Sequence, residues 1–380
     1  MARAPKGGSS KKRSVTSKGR KSVRRPTLEG LPLTEAQLAR RMKARPALKE
    51  IPTYELEFSL PVRGGARIEH VGERDENGLR VAVTGVKLGE RFVRPSIRGT
   101  VLRRKRARPE ETITVSGFAP EHLPFKPVPT RLSKRLQVRQ RFDFSGRRRP
   151  GVKYATTVFN PENRYTFEDT AFPWCTVGRV DTPSGTSSGV MVGPRHMLTV
   201  SHGISWNGDG SAGWVQFRPS YFSGDAPFGE AWGIHWYAYQ QVTPPTIDGN
   251  EGLEDYCLVV LDRRMGDIVG WMGSRTYSED WDSQAVWRHI GYPADLAGAE
   301  QPSYQRDISL DGRDTDAARE IWHQGDVSVG QSGGPFFAWW DTEPWPRVVG
   351  VQSWENSARN GASGAQQLVQ CIISGLTDFP

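Results

Sequence analysis

The sequence lacks the features of several protein classes. Its 380 residues include only three cysteines, Cys175, Cys257 and Cys371, with no Cys-x-x-Cys spacing. This sparse, odd set supports neither a disulfide framework nor a zinc site, and we expect three buried, unpaired thiols and no bound metal. No run approaches the roughly 18 apolar residues of a membrane span. The first 30 residues lack the apolar block of a Sec signal peptide, which leaves the cytoplasm or export by a non-Sec route.

Tryptophan is absent from the first 150 residues, and acidic side chains are scarce there. Residues 1–150 carry 37 Lys and Arg against 14 Asp and Glu, a net charge of +23. Residues 151–380 carry 14 against 28, a net charge of −14, and contain all 13 tryptophans. The overall charge of +9 is therefore the sum of two opposite regions, which predicts different roles for them.

The N-terminal end of the chain has little to bury. We expect residues 1–30 to form a disordered basic arm, because they are rich in Lys, Arg, Ser and Gly. A short helix is predicted between Thr34 and Ile51, with Thr34 as its N-cap and Leu38 and Met42 on one face.

The rest of the basic region predicts short strands and a linker. Alternating residues favour a small β-rich module over about residues 50–120, with strands at 54–60, 80–83 and 112–115. Residues 120–150 are rich in Pro and Arg and indicate a linker. The expected organisation is therefore a basic arm (1–30), a basic N-terminal region (31–150) and one larger domain (151–380).

Beyond residue 150 the chain consists of short β-branched or aromatic runs broken by Gly and Pro. No helical period of 10 to 15 residues separates these runs, which favours an antiparallel barrel or sandwich over a parallel α/β sheet. The clearest runs are 188–192, 197–200, 213–217, 257–261 and 347–352. Only Ala365 to Ile373 predicts a helix, with Leu368, Cys371 and Ile372 on one apolar face.

A glycine-rich segment around a serine is the strongest sign of chemistry. In Gly330-Gln-Ser332-Gly-Gly-Pro335 the glycines allow unusual backbone angles and close approach of a substrate. A serine hydroxyl is a weak nucleophile, so it needs a base and main-chain N–H groups directed at the developing oxyanion. The N–H groups of Gly330 and Ser332 are the candidates. Because G-x-S-x-G alone is usually an incidental turn, further residues are needed.

A candidate base lies upstream, where an apolar strand ends in Leu198-Thr-Val-Ser-His202. A lone histidine is usually just a polar loop residue, but imidazole is the side chain best able to accept and return a proton near pH 7. A carboxylate at the edge of a buried strand would fix its tautomer. Asp255, directly before an apolar run, meets that description, with Glu254 and Asp262 as competitors.

Chain order separates the remaining folds. An α/β-hydrolase places its histidine after the serine, but the last histidine here is His323. A subtilisin order would use an acid such as Asp181 before the histidine, but the parallel sheet with helices is not expected. The order His202, Asp255, Ser332, with separations of 53 and 77 residues, is that of two-barrel proteases.

Residues from about 165 to 380 resemble the chymotrypsin-like serine proteases. The motifs that carry this resemblance are 198–202, Asp255-Tyr-Cys-Leu-Val, 330–335 and Val349-Gly-Val-Gln-Ser-Trp354. Gly291-Tyr-Pro293 and the Gly-Gln-Ser-Gly context are more similar to the glutamyl endopeptidase branch than to digestive trypsins. The resemblance implies an all-β fold, a double antiparallel β-barrel with a C-terminal helix, preceded by the basic, partly disordered N-terminal region.

The resemblance also implies a serine endopeptidase that acts on polypeptides without a cofactor. His202 would be the general base and then the general acid, and Asp255 would orient it. Ser332 would attack the scissile carbonyl to give an acyl-enzyme, with an oxyanion hole formed by Gly330 and Ser332. The family's cysteine after the histidine is Gly203 here, in keeping with the low cysteine count.

The substrate pocket implied by the resemblance leaves alternatives open. Asp326, six residues before Ser332, either attracts Arg or Lys side chains at the pocket base or is a structural loop carboxylate. The glutamyl branch recognises a carboxylate with a His and a Thr, whereas this chain has Gln352 and Val327 at those positions. The other pocket positions are Ser353, Trp354 and Glu355.

The role of the basic region is also open. It carries no nucleic-acid-reading motif, so a nucleic-acid-associated protein is a weaker alternative than docking of this region on the acidic domain. A solubilising tail without a partner is the third alternative. For the domain itself, the competing class is a catalytically silent binding protein on the same fold.

Overall fold

A computed structural model provides the structure of this protein. It describes residues 30–46, 67–76, 79–87, 96–103, 112–132, 156–159, 161–243, 251–313 and 319–380. The predicted strand at 54–60 and most of the basic arm lie outside these ranges. The basic runs 103–106 and 147–149 also lie wholly or largely outside them, so docking of the basic region stays a prediction.

The first barrel is a closed ring of six antiparallel strands. In chain order the strands are β7 (Val177–Thr182), β8 (Gly185–Gly193), β9 (His196–Thr199), β10 (Gln216–Pro219), β11 (Ala231–Ala238) and β12 (Cys257–Leu261). In space they follow the order β10, β7, β8, β9, β12, β11, and β10 pairs with β11 to close the ring. The apolar run at 257–261 coincides with β12, which is wholly buried.

The second barrel repeats this design later in the chain. The strands are β14 (Ala285–Gly291), β15 (Ser303–Gly312), β16 (Glu320–His323), β18 (Pro335–Ala338), β19 (Arg347–Glu355) and β20 (Asn360–Gly364). In space they follow the order β18, β14, β15, β16, β20, β19, and β19 pairs with β18 to close the ring. These two closed rings confirm the predicted double β-barrel.

Four short strands extend the second barrel or lie beside it. β6 (Tyr165–Thr166) pairs with β15, and β13 (Gly273–Arg275) runs parallel to the start of β19. β5 (Thr156–Thr157) and β17 (Val327–Ser328) form a separate two-stranded pair.

Four α-helices are described. Helix α1 (Glu35–Arg41) starts at the predicted N-cap Thr34, whose side chain and that of Gln37 form a capping box, but it ends earlier than expected. Two unpredicted short helices are α2 (Met265–Val269) and α3 (Ala294–Ala297). The predicted C-terminal helix is confirmed as α4 (Ala365–Asp378) and buries its apolar face. Single 3₁₀ turns lie at Trp174–Thr176, Glu251–Leu253 and Glu279–Trp281.

Segments from the basic region are part of the folded structure. β1 (Arg67–Glu76) and β2 (Leu79–Lys87) form an antiparallel hairpin of their own. β3 (Gly99–Val101) adds in parallel to the second half of β11, and β4 (Thr114–Val115) pairs with β13. The upstream chain therefore supplies one strand to each barrel sheet.

Helix α1 and the residues before it pack on the second barrel. The N–H of Leu33 donates to the carbonyl of Trp339 at 2.7 Å, and the indole of Trp281 donates to the carbonyl of Gly30 at 2.8 Å. Leu33 and Leu38 are buried in the largest hydrophobic cluster, which spans both barrels and α4. Their burial makes this segment part of the core.

All three cysteines are buried and unpaired, which confirms the expectation from the sequence. Burial raises the pKa of each thiol. Within the described ranges, no helix combines the length and the apolar character needed to cross a membrane.

Candidate functional site

Two barrel strands bring His202 and Asp255 to the same place. His202 lies three residues after the end of β9, and Asp255 lies two residues before the start of β12. These strands are antiparallel neighbours, with Cys257 opposite Thr199. The carboxylate of Asp255 accepts from the backbone N–H of His202 at 2.8 Å and lies 2.6 Å from its Nδ1. The register of two strands therefore fixes both the position and the orientation of the imidazole.

A third group completes this cluster. The hydroxyl of Ser353, on β19 of the second barrel, donates to Oδ2 of Asp255 at 2.6 Å. Asp255 has no exposed side-chain surface, whereas 17% of the His202 side chain is exposed. Burial lowers the pKa of His202, but the charge of Asp255 and its hydrogen bond outweigh burial, so the pKa is raised overall. The imidazole is thus a stronger base than an isolated histidine.

The Ser332 loop depends on two glycines. Gly330 has φ +95° and Gly333 has φ +83°, in the left-handed region that favours glycine. A Cβ at Gly330 would lie 2.3 Å from the carbonyl oxygen of Tyr292, and one at Gly333 would lie 2.2 Å from that of Ser188. Gly333 also lies against Thr199 and Val200, which precede His202. The loop is therefore held tightly and close to the imidazole.

Ser188 of the first barrel fastens this loop from the other side. Its N–H donates to the carbonyl of Ser332 at 2.8 Å, and its hydroxyl donates to the carbonyl of Gly330 at 2.7 Å. The N–H of Tyr292 donates to the same hydroxyl at 2.9 Å. Sequence reasoning missed Ser188, because nothing in its local pattern separates it from other strand serines.

The N–H groups of Gly330 and Ser332 have no acceptor among the described residues. Main-chain N–H groups inside a protein are nearly always paired. Two unpaired N–H groups from residues so close in the chain are therefore suited to bind an oxygen atom of a ligand. Among the described side chains, no hydrogen bond joins the Ser332 hydroxyl to Nε2 of His202. Such bonds are often long without a substrate and shorten when one binds.

The three competing carboxylates are engaged elsewhere. Glu254 pairs with Arg319 at 3.5 Å, and Asp262, at the far end of β12, accepts from the N–H of Trp232 at 2.9 Å. Asp181 bonds Arg179 and Arg218. In contrast to these three carboxylates, that of Asp255 is hydrogen-bonded to the His202 side chain.

Asp326 is 1% exposed, and both of its oxygens accept hydrogen bonds. Oδ1 accepts from the N–H of Phe159 at 2.8 Å, and Oδ2 accepts from that of Asn163 at 3.0 Å and from the Gln305 amide at 3.2 Å. Burial raises the pKa of this carboxyl. These contacts favour the structural alternative over a free pocket charge.

The other predicted pocket residues lie on β17 and β19. Val327 is buried and pairs with Thr157, and the Gln352 amide donates to the carbonyl of Trp354 at 2.9 Å. The Trp354 ring covers Gly361 on the neighbouring strand. Glu355 is partly exposed at the end of β19, and burial raises the pKa of its carboxyl. Ser353, also predicted as a pocket residue, donates its hydroxyl hydrogen to the Asp255 carboxylate.

The described residues contain no group of three or more His, Cys, Asp or Glu side chains suited to a metal ion.

Comparison with known proteins identified a curated relative. No family model matches the chain. A curated glutamyl endopeptidase of Bacillus licheniformis is 24% identical over 169 residues, which are 44% of this chain and 50% of that protein. The chain thus spans about half the length of the curated relative it matches. This finding confirms the resemblance that the motifs predict, including the glutamyl endopeptidase branch.

Two solved protease structures are similar to parts of this chain. A Glu endopeptidase in complex with MPD is 17% identical with a TM-score of 0.48, over 58% of this chain and 100% of that one. The protease Anisep from Arthrobacter nicotinovorans is 19% identical with a TM-score of 0.43, over 55% of this chain and 95% of that one. The chymotrypsin-like fold itself is evident from the strand pairing described above.

Proposed function

We propose that this chain is a serine endopeptidase that hydrolyses polypeptides through Ser332, His202 and Asp255. The observation that carries the proposal is the Asp255 carboxylate, which accepts from both the backbone and the ring of His202 and from Ser353. A buried carboxylate bonded in this way holds the imidazole in one tautomer, with Nε2 available as the base.

The reaction would proceed in two halves. Nε2 of His202 takes the proton of the Ser332 hydroxyl as Oγ attacks the scissile carbonyl carbon. The same proton then passes to the leaving amine, and the C–N bond breaks to give an acyl-enzyme. Nε2 of His202 then takes a proton from water as the water oxygen attacks the ester carbon, and it gives that proton to Oγ of Ser332 as the ester bond breaks and the acid product leaves. Asp255 stays ionised and stabilises the imidazolium in both halves.

The Ser332 loop would stabilise the charge that develops on the carbonyl oxygen. The N–H groups of Gly330 and Ser332 are unpaired among the described residues, so no existing hydrogen bond must break before they donate to that oxygen. Fixed donors of this kind typically contribute a rate factor of about 10² to 10³ each.

The decisive test is labelling with a fluorophosphonate, followed by mass spectrometry of the modified peptide. We expect one adduct on Ser332 and none on Ser332→Ala, with equal folding of both proteins by circular dichroism. A folded wild-type protein that forms no adduct at Ser332 would support a catalytically silent binding protein instead.

The pH profile offers a second prediction. The active form needs a neutral His202, whose pKa is raised above its ordinary value of 6.5. We therefore expect kcat/KM to rise with pH through an apparent pKa above 6.5 and to be lost below it. Steady-state rates on a peptide substrate across this range measure the midpoint. A midpoint below 6.5 would contradict the role assigned to Asp255.

A third prediction concerns Asp326. Asparagine offers one acceptor oxygen, so Asp326→Asn leaves an N–H of Phe159 or Asn163 unpaired, which typically costs about 1 to 3 kcal/mol. We expect that loss in the free energy of unfolding, together with an unchanged preference for the side chain before the cleaved bond. A peptide-library profile and urea denaturation measure the two effects. Lost cleavage after Arg and Lys at wild-type stability would restore the pocket-charge alternative.

A further inference from the structure

A buried arginine lies directly beneath the Ser332 loop. Arg164 precedes β6, and its guanidinium has no exposed surface. Nε and Nη2 donate to Glu162 at 3.0 and 2.7 Å, and Nη1 and Nη2 donate to Asp295 at 3.2 and 2.6 Å. The fifth donor is a hydrogen on Nη1 that bonds Oε1 of Gln331 at 2.6 Å. Every N–H of this side chain is therefore used.

Gln331 is the residue between Gly330 and Ser332, and it is completely buried. Its Oε1 accepts from Arg164 and from the N–H of Ser328 at 3.0 Å. Its amide nitrogen lies 3.3 Å from Nδ1 of His289. The N–H of Ser332 belongs to the peptide bond that follows Gln331, and the N–H of Gly330 belongs to the peptide bond that precedes Gly330, the residue before Gln331. A displacement of Gln331 would therefore move the Ser332 donor directly and the Gly330 donor through Gly330.

The charges of Arg164 and its two carboxylate partners explain why the hydrogen bond from Arg164 to Gln331 is rigid. An arginine stays ionised at all working pH values, and its planar fork suits two carboxylates at once. Glu162 and Asp295 hold that fork in place, and the hydroxyl of Ser328 donates to Asp295 at 2.6 Å. The bond to Gln331 is charge-assisted and shielded from water, so it is stronger than a bond between neutral groups.

We propose that Arg164 is a positioning residue that acts through Gln331 to fix the N–H groups of Gly330 and Ser332 toward the oxyanion. This inference rests on the proposed function. It assigns a role to a residue and to an ion-pair network outside the His202, Asp255 and Ser332 group.

The sharpest variants change Gln331, because they leave the ion pairs of Arg164 intact. We expect Gln331→Met to lower kcat about 10- to 100-fold with little change in KM, since the donors act mainly on the transition state. Gln331→Glu keeps both acceptor contacts and should restore part of the lost rate. A peptide aldehyde, which forms a tetrahedral adduct, should lose affinity for Gln331→Met in parallel with kcat/KM.

Arg164→Met and Arg288→Met form a matched pair. Arg288 is also buried in the second barrel, but it bonds the carbonyls of Leu33 and Val286. We expect both variants to lose stability, but only Arg164→Met to lower kcat. Hydrogen exchange should rise in the peptide spanning 328–334 in Arg164→Met and Gln331→Met, and not in Arg288→Met.

The outcomes separate this inference from the proposed function. A wild-type protein that forms no fluorophosphonate adduct overturns the function, while hydrogen exchange at 328–334 still tests the positioning contact. An active wild-type protein with unchanged kcat in folded Gln331→Met overturns the positioning role. Unchanged exchange at 328–334 in both Arg164→Met and Gln331→Met also overturns it. Should Arg164→Met fail to fold, the Gln331 variants decide.

Discussion

Replacing Asp255 with asparagine will lower kcat about 10⁴-fold, if the proposed mechanism holds. The amide keeps the shape of the side chain, but its NH₂ group cannot accept the hydrogen on Nδ1 of His202. The imidazole would then carry its proton on Nε2 and could not accept one from Ser332. Single-turnover acylation with an activated ester measures this loss directly. The acid limb of the pH profile of any residual activity should also move to lower pH, because the negative charge that raises the pKa of His202 is gone.

Asp262→Asn is the matched control for Asp255→Asn. Asp262 closes the same strand at its other end, is also buried and accepts one backbone N–H. Its amide can keep that contact, so we expect kcat to change less than about threefold. Equal losses in the two variants would show that β12 tolerates no change at either end, and would remove the support for Asp255 as the orienting acid.

Truncating Leu38 will lower the free energy of unfolding by about 3 kcal/mol. Leu38 has no exposed surface and lies in the largest hydrophobic cluster, so its removal leaves a cavity. Urea denaturation of Leu38→Ala measures the effect. The result matters because the sequence assigns this residue to a basic region separate from the protease-like domain.

Arg40→Ala, on the exposed side of the same helix, is the control for Leu38→Ala. We expect it to change stability by no more than about 0.5 kcal/mol. If Leu38→Ala is as stable as the wild-type protein, α1 is not anchored on the barrels in solution. In that case α1 could be removed without harm to the barrels.

The sequence points to the candidate chemical groups more directly than to their surroundings. His202, Asp255 and Ser332 lie in short motifs, because each must sit at the end of a strand or in a glycine turn. Their order along the chain then separates the two-barrel arrangement from other hydrolases. The apolar run at 257–261 and the apolar face after Ala365 also predicted β12 and α4, since burial imposes a period on the residues of each element.

The supporting contacts could not be found in this way, because they join residues far apart in the chain. Arg164 and Gln331 are separated by 167 positions, and Phe159 and Asp326 also by 167. Neither Arg164 nor Phe159 belongs to a local pattern. Leu38 lies in a predicted helix, but that local pattern does not show that Leu33 and Leu38 pack among aromatic and aliphatic residues of both barrels.

The strands β3 and β4 cover sheet positions that would otherwise present unpaired N–H and C=O groups. β11 uses its first residues to close the barrel with β10, and its last three residues pair with β3. β13 likewise has β4 as its partner on one side. Uncovered edges are templates for pairing with other chains. Loss of β3 and β4 would therefore expose these edges and favour edge-to-edge aggregation.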